Sequence, residues 1–147
     1  MEELIKSLKI LLADVHVMSS ITHGFHWNVE GNDFPEWHSK FDEIYSDVYE
    51  STDAIAENIR KCGDYAPFTL QRFIEFTSIP DNTPLDSSPK SFVSNLYEVN
   101  NYVLNTLYDV FSKANSLNKQ GIANFIAERI DIHEKHGWML RASLKGL

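Results

Sequence analysis

Thr22-His23-Gly24-Phe25-His26-Trp27-Asn28-Val29-Glu30-Gly31-Asn32-Asp33-Phe34-Pro35-Glu36-Trp37-His38 reads as a corner between two long helices. Upstream of it, Leu4, Leu8, Leu11, Val15, Met18 and Thr22 step by four and three, the period of a helix that packs one stripe into a bundle. That helix is expected to end near Asn28, where Gly31-Asn32 breaks the pattern. Asp33-Phe34-Pro35-Glu36 restarts it, with Asp33 placed to cap, Pro35 acceptable in the first turn and Glu36 in capping-box position. Downstream, Trp37, Phe41, Ile44, Val48, Thr52, Ile55 and Ile59 form one stripe of a second helix. It should run to about Cys62 and stop at Gly63.

Pro67, Pro80 and Pro84 punctuate residues 64–88, yet Leu70-Gln71-Arg72-Phe73-Ile74-Glu75-Phe76 keeps helical spacing, which predicts a crossover carrying a short helix. Ser88-Pro89 is a helix start, a capping serine followed by proline at the first helical position. From there Phe92, Leu96, Val99, Val103, Leu107 and Val110 mark a third long helix. After a polar break over 115–120, Ile122, Ile126, Ile130, His133, Leu140 and Leu144 mark a fourth. Four long helices with one long connection between the second and third describe an all-α four-helix bundle, read as a single domain over residues 1–147.

Composition narrows the function classes. No apolar run approaches the roughly 18 residues of a membrane span, and the acidic start Met1-Glu2-Glu3-Leu4 lacks the basic region of a secretory signal, so a cytoplasmic location is expected. Cys62 is the only cysteine, which excludes an intrachain disulfide, a Cys-based zinc site and a CxxC redox pair. The 21 acids outweigh 13 bases to leave a net charge of -8, and the bases are scattered along helix faces instead of gathered in tails. Such a field repels nucleic acid and favours cations.

The chemistry is concentrated on the second helix. His38, Asp42, Tyr45, Tyr49, Asp53 and Glu57 form a stripe beside the apolar one, facing a neighbour or solvent. Asp53 and Glu57, four apart, can hold a cation between them, and His26 lies across the Gly31 corner, close enough for its imidazole to converge with that of His38. Fifteen residues separate His38 from Asp53, which a continuous helix spreads over about 22 Å. One ion cannot bind both, so a shared site requires a second, antiparallel copy of the chain. Imidazole and carboxylate ligands with open positions suit Fe(II), with Zn(II) and Mn(II) as possible substitutes.

The segment from Thr22 to Gly31, then Phe34, Trp37-His38, Phe41-Asp42, Tyr45 and Ser51-Thr52-Asp53-Ala54-Ile55-Ala56-Glu57, closely resembles the Dps family of miniferritins. That family's pattern is a histidine-tryptophan ending the first helix, a histidine twelve residues later, an aspartate fifteen beyond and a glutamate four beyond that. The similarity continues through 70–79, Glu128 to Lys135 and Trp138 to Arg141, covering nearly the whole chain. The resemblance implies a ferritin-like fold, a hollow homododecamer and iron centres at its two-fold interfaces. There His26 and His38 of one subunit would meet Asp53 and Glu57 of the next, with Asp42 a further acid nearby. It implies oxidation of Fe(II), preferentially by hydrogen peroxide, and storage of ferric mineral. Trp27 matches a tryptophan that takes up oxidising equivalents; otherwise it packs at the corner. Asp131 and Glu134 are candidates for lining an acidic iron-entry pore, where Asn124 replaces the aspartate of many relatives.

Four alternatives are weighed against it. None of the six histidines has an acid three residues before it, which argues against the Glu-x-x-His pairs of ferritins with an intrasubunit centre. His133-Glu134-Lys135-His136 is one residue short of the zinc-protease HExxH, and His133 falls on the core stripe; His16 and His23 also read as structural. A DNA-compacting protein is the principal functional alternative, although twelve copies at -8 would carry roughly -96. A helical scaffold that kept the fold without the chemistry is the last.

Overall fold

The computed structural model describes every residue except Asn82. Its element order is α1 (Glu2–Asn28), α2 (Phe34–Lys61), the short α3 (Leu70–Phe76), α4 (Pro89–Ser116) and α5 (Gln120–Leu144). α1 packs against α2, α3 and α4, and α4 against α5. The predicted stripes are the core: Leu4, Leu8, Leu11, Val15 and Met18 of α1 meet Phe41, Ile44, Val48, Ile55 and Ile59 of α2 and Leu96, Val103, Leu107 and Val110 of α4, all buried. On α5 the buried line is Ile122, Ile126, Arg129, His133, His136 and Leu140, so Ile130 and Leu144, expected on it, are only partly covered.

Three ties show that the crossover travels the length of the bundle. The Lys9 ammonium reaches Asp64 at 2.9 Å near the start of α1, and the Glu30 amide donates to the Ser87 carbonyl at 2.9 Å just past its end. Between them, buried Asp14 accepts from the Thr77 and Ser78 hydroxyls, each at 2.7 Å, and from the Ser78 amide at 2.6 Å. The Thr106 hydroxyl of α4 also donates to Asp14, at 2.7 Å. One carboxylate in the middle of α1 thus pins both the crossover and α4, satisfying groups that could not be left bare inside the bundle.

The helix ends follow local chemistry, with one correction. Ser88 caps α4 by accepting from the Ser91 amide at 3.2 Å, and Gly63 ends α2 at φ +94°. Asp33 does not act as the expected side-chain cap and no capping box forms. It sits in the left-handed region at φ 61°, where its carboxylate makes no bond to the helix, after Gly31 has already turned the chain at φ +109°. The corner is tight enough to need two left-handed conformations within three residues, at Gly31 and Asp33, and in that geometry Asp33 makes no cap bond to the helix amides. The polar break between α4 and α5 is also shorter than expected, since helix resumes at Gln120.

Candidate metal centre and interior polar network

The corner delivers two imidazoles to one place. His26, in the last turn of α1, and His38, in the second turn of α2, stack with ring centroids 3.8 Å apart and planes at 16°. Their bonding is reciprocal: His26 Nδ1 donates to the His38 carbonyl at 2.6 Å, and His38 Nδ1 donates to the His26 carbonyl at 2.7 Å. A carbonyl can only accept, so each Nδ1 carries a proton, and Nε2 is the ring nitrogen left for a metal. Backbone anchoring of one ring nitrogen fixes tautomer and orientation at the other, the arrangement a metal-binding histidine needs.

Aromatic rings extend the pair on both sides. Phe34 lies 5.3 Å from His38, and His23 stacks on Tyr45 at 4.0 Å and 10° while touching Trp27 at 4.2 Å. Trp27 is 63% exposed, with one face against His23 at the corner. His16 stacks on Phe73 of α3 at 4.3 Å, in keeping with its structural reading.

The carboxylates lie elsewhere. Asp42, Asp53 and Glu57 are exposed along α2, with no ion pair to any lysine or arginine among the described residues. Asp53 and Glu57 share a face one turn apart, toward the far end of the helix from His38. Among the described residues no three histidine, cysteine, aspartate or glutamate side chains of one chain form a group able to hold a metal. One chain therefore offers two half-sites: a pair of oriented nitrogen donors and a pair of unneutralised carboxylates. Their donor chemistry fits a borderline divalent cation such as Fe(II). Asp131, Glu134 and Asn124 are all exposed on α5.

A second polar cluster was not anticipated from the sequence. Arg129, 7% exposed, grips Asp47 of α2 with two parallel bonds of 2.9 Å, and His136 Nε2 adds a third at 2.8 Å. Arg129 also donates to His133 Nε2 at 3.2 Å, while His133 Nδ1 donates to Asn100 Oδ1 of α4 at 2.8 Å. The Asn100 amide returns a bond to the His133 carbonyl at 2.8 Å, and a Cβ on Gly137 would come within 3.1 Å of that amide nitrogen. The available signal was positional: Arg129, His133 and His136 continue the four-three line of Ile122 and Ile126, and charged residues on an apolar stripe must find partners inside.

Protonation in this cluster is set by burial and neighbours. Burial opposes ionisation of Asp47, but the hydrogen bonds from His136 and Arg129 and the arginine charge outweigh it, holding the carboxyl well below its usual range. Burial, then the Arg129 charge, lowers His133 to about 3. The unfolded chain takes up a proton at a free histidine near pH 6.5 that the folded chain refuses. Stability from this group is complete above pH 6.5 and is lost as pH falls toward 3. The expected slope approaches about 1.4 kcal/mol per pH unit between these limits. Denaturant midpoints of wild type and His133→Gln at pH 7, 6 and 5 check it: the wild type should decline more steeply, and parallel profiles would remove His133 as the cause.

Comparison with known proteins places this architecture. The ferritin-like domain family matches residues 5–147. A DNA protection during starvation protein from Brevibacillus brevis is 33% identical over 84% of this chain and 82% of its own length. Another from Listeria innocua is 31% identical, covering 90% of this chain and 86% of its own length. The crystal structure of a Dps protein from Vibrio cholerae O1, described as a member of a broad superfamily of ferritin-like diiron-carboxylate proteins, superposes with a TM-score of 0.91 at 29% identity, covering 97% of this chain and 89% of that one. The two oriented histidines, the paired carboxylates of α2 and the crossover bundle thus belong to a chain of the ferritin-like family, in its Dps branch of miniferritins.

Proposed function

We propose that this protein oxidises Fe(II), with hydrogen peroxide as the preferred oxidant, and stores the ferric product inside a homododecameric shell, protecting its surroundings from oxidative damage. The observation that carries the reading is the reciprocal bonding of His26 and His38, which spends both Nδ1 protons on backbone carbonyls and leaves two adjacent Nε2 donors. Asp53 and Glu57 of an antiparallel second copy complete the centre, and Asp42, one turn from His38, adds an acid beside it. Iron is the substrate, and Zn(II) or Mn(II) can occupy the same donors. Nitrogen donors hold Fe(II), carboxylates favour Fe(III) as it forms, and open positions admit the oxidant. The electrons balance without a radical: two Fe(II), one peroxide and two protons give two Fe(III) and two waters. Trp27, exposed one residue from His26 and against His23, is placed to supply an electron when only one iron is bound.

Titration of the anaerobic protein with peroxide at a fixed Fe(II) load tests the reading. Ferric absorbance should saturate near one peroxide for every two irons, with no hydroxyl radical trapped. A ratio near one to one with radical release, or no acceleration over free iron, would sink it. Several relatives are named for DNA protection, but the net charge of -8 opposes direct contact of this chain with DNA.

A further inference from the structure

A cleft of about 460 Å³ opens at the end of the bundle, between the last turns of α2 and the start of α5. Its walls include Glu57, Asn58, Lys61, Lys119, Gln120 and Gly121. We propose that this cleft is an oxyanion site for inorganic phosphate, formed by the uncapped N-terminus of α5, the Lys61 and Lys119 ammonium groups and the buried Asn58 amide.

Three independent features converge on it. α5 begins without a side-chain cap, and its first intrahelical bond is that of the Ala123 amide to the Lys119 carbonyl at 2.9 Å, so the amides of Gln120, Gly121 and Ile122 have no acceptor in the described chain. Uncapped amides at the positive end of a helix dipole bind anions. Neither Lys61 nor Lys119 has a carboxylate partner among the described residues, so both ammonium groups are available to a ligand in the cleft they line. Asn58 is 5% exposed, yet no described donor or acceptor meets its side-chain amide. Its amide atoms are not among those sealed from solvent, so the little surface they keep opens into the cleft. A buried amide without a protein partner costs free energy unless something in the cleft satisfies it.

The charge balance selects an anion over a cation. Two ammonium groups and three free amides face the single carboxylate of Glu57, and Asn58 can donate as well as accept. A tetrahedral phosphate has enough oxygens to engage the helix amides on one side and both lysines on the other. The cleft shares Glu57 with the proposed iron centre, but its test uses metal-free protein, so its failure and the failure of the iron reading are distinguishable. The phosphate could be free in solution or belong to a nucleic-acid backbone; the net charge of -8 on the chain favours the free ion.

Isothermal titration of the assembled, metal-free protein with inorganic phosphate, at constant ionic strength in a chloride buffer, tests the proposal. The wild type should bind phosphate saturably, and Lys61→Ala with Lys119→Ala should weaken binding about tenfold or more. Gly121→Asp guards against misfolding of that variant: a Cβ there meets nothing within 4 Å, and an acid in the first turn suits the helix while filling the site with its own carboxylate. It should lose phosphate binding and gain thermal stability. Glu57→Gln should tighten binding by removing the opposing charge. A short DNA duplex that displaces phosphate from the wild type, and fails to bind the double-lysine variant, would assign the anion to a nucleic-acid backbone. Absence of saturable phosphate binding, or equal binding by the wild type, the double-lysine variant and Gly121→Asp, overturns the site.

Discussion

Co-assembly of His26→Ala/His38→Ala subunits with Asp53→Ala/Glu57→Ala subunits is expected to restore iron oxidation to about a quarter of the wild-type rate, by the reciprocity of a two-fold interface. Each variant alone should lose at least about 100-fold, since loss of an outer partner of a ligand already costs 10–100-fold. The argument is geometric. His38 and Asp53 lie fifteen residues apart on one unbroken helix, α2, so their side chains cannot meet within a chain. In a mixed dimer the histidine half of one subunit meets the intact acids of the other, giving one working centre and one lacking all four ligands. Random pairing makes half of the dimers mixed. Refolded one-to-one mixtures, assayed by ferric absorbance after peroxide addition and checked for assembly by light scattering, provide the measurement. No recovery in correctly assembled mixtures would mean that the histidines and carboxylates do not share a centre.

Asp14→Ala is expected to cost about 4 kcal/mol, because it strands several buried donors of a charged acceptor. Asp14 is fully buried and receives three hydroxyls and one amide from Thr77, Ser78 and Thr106. A fall in melting temperature of roughly 10 °C follows for a chain of this size, measured at fixed protein concentration so that assembly does not shift the midpoint. Asp14→Asn should cost about 1–2 kcal/mol, since its oxygen keeps the Thr77 hydroxyl and Ser78 amide while its amide can donate to hydroxyls that turn to accept. Hydrogen exchange should show the crossover around Ser78 opening first. A melting temperature for Asp14→Ala within a degree or two of wild type would show that the crossover is held by its apolar contacts instead.

Both cases show where sequence reading succeeds and where it stops. The stripes of α1, α2 and α4, the short α3 and the Ser88 cap were legible because each is set by residues within one or two turns. The convergence of His26 and His38 was legible too, since a short glycine corner leaves little freedom. Asp33 misled because its capping role depends on a backbone conformation that Gly31 and the corner dictate together. Asp47 and Asn100 carry no local signature; their partners are 82 and 33 residues away. Arg129 and His136 could have been flagged from their places on the α5 stripe, but only packing names whom they meet. Asn58 reads as an ordinary polar residue until burial leaves its amide without a partner.

By itself the sequence determined the all-α bundle, the corner, the crossover with its helix, the family resemblance and the separation of histidines from carboxylates along α2. These follow from helical periodicity and rise per residue, which are properties of the chain alone. Only the tertiary structure decided which histidine nitrogens are free, because the protons are placed by carbonyls across the corner. It likewise decided that Asp14 and Asp47 are interior anchors, and that Lys61, Lys119, Asn58 and the head of α5 border one cleft. Hydrogen-bond partners distant in sequence are chosen by how helices pack, and packing is a property of the folded chain as a whole.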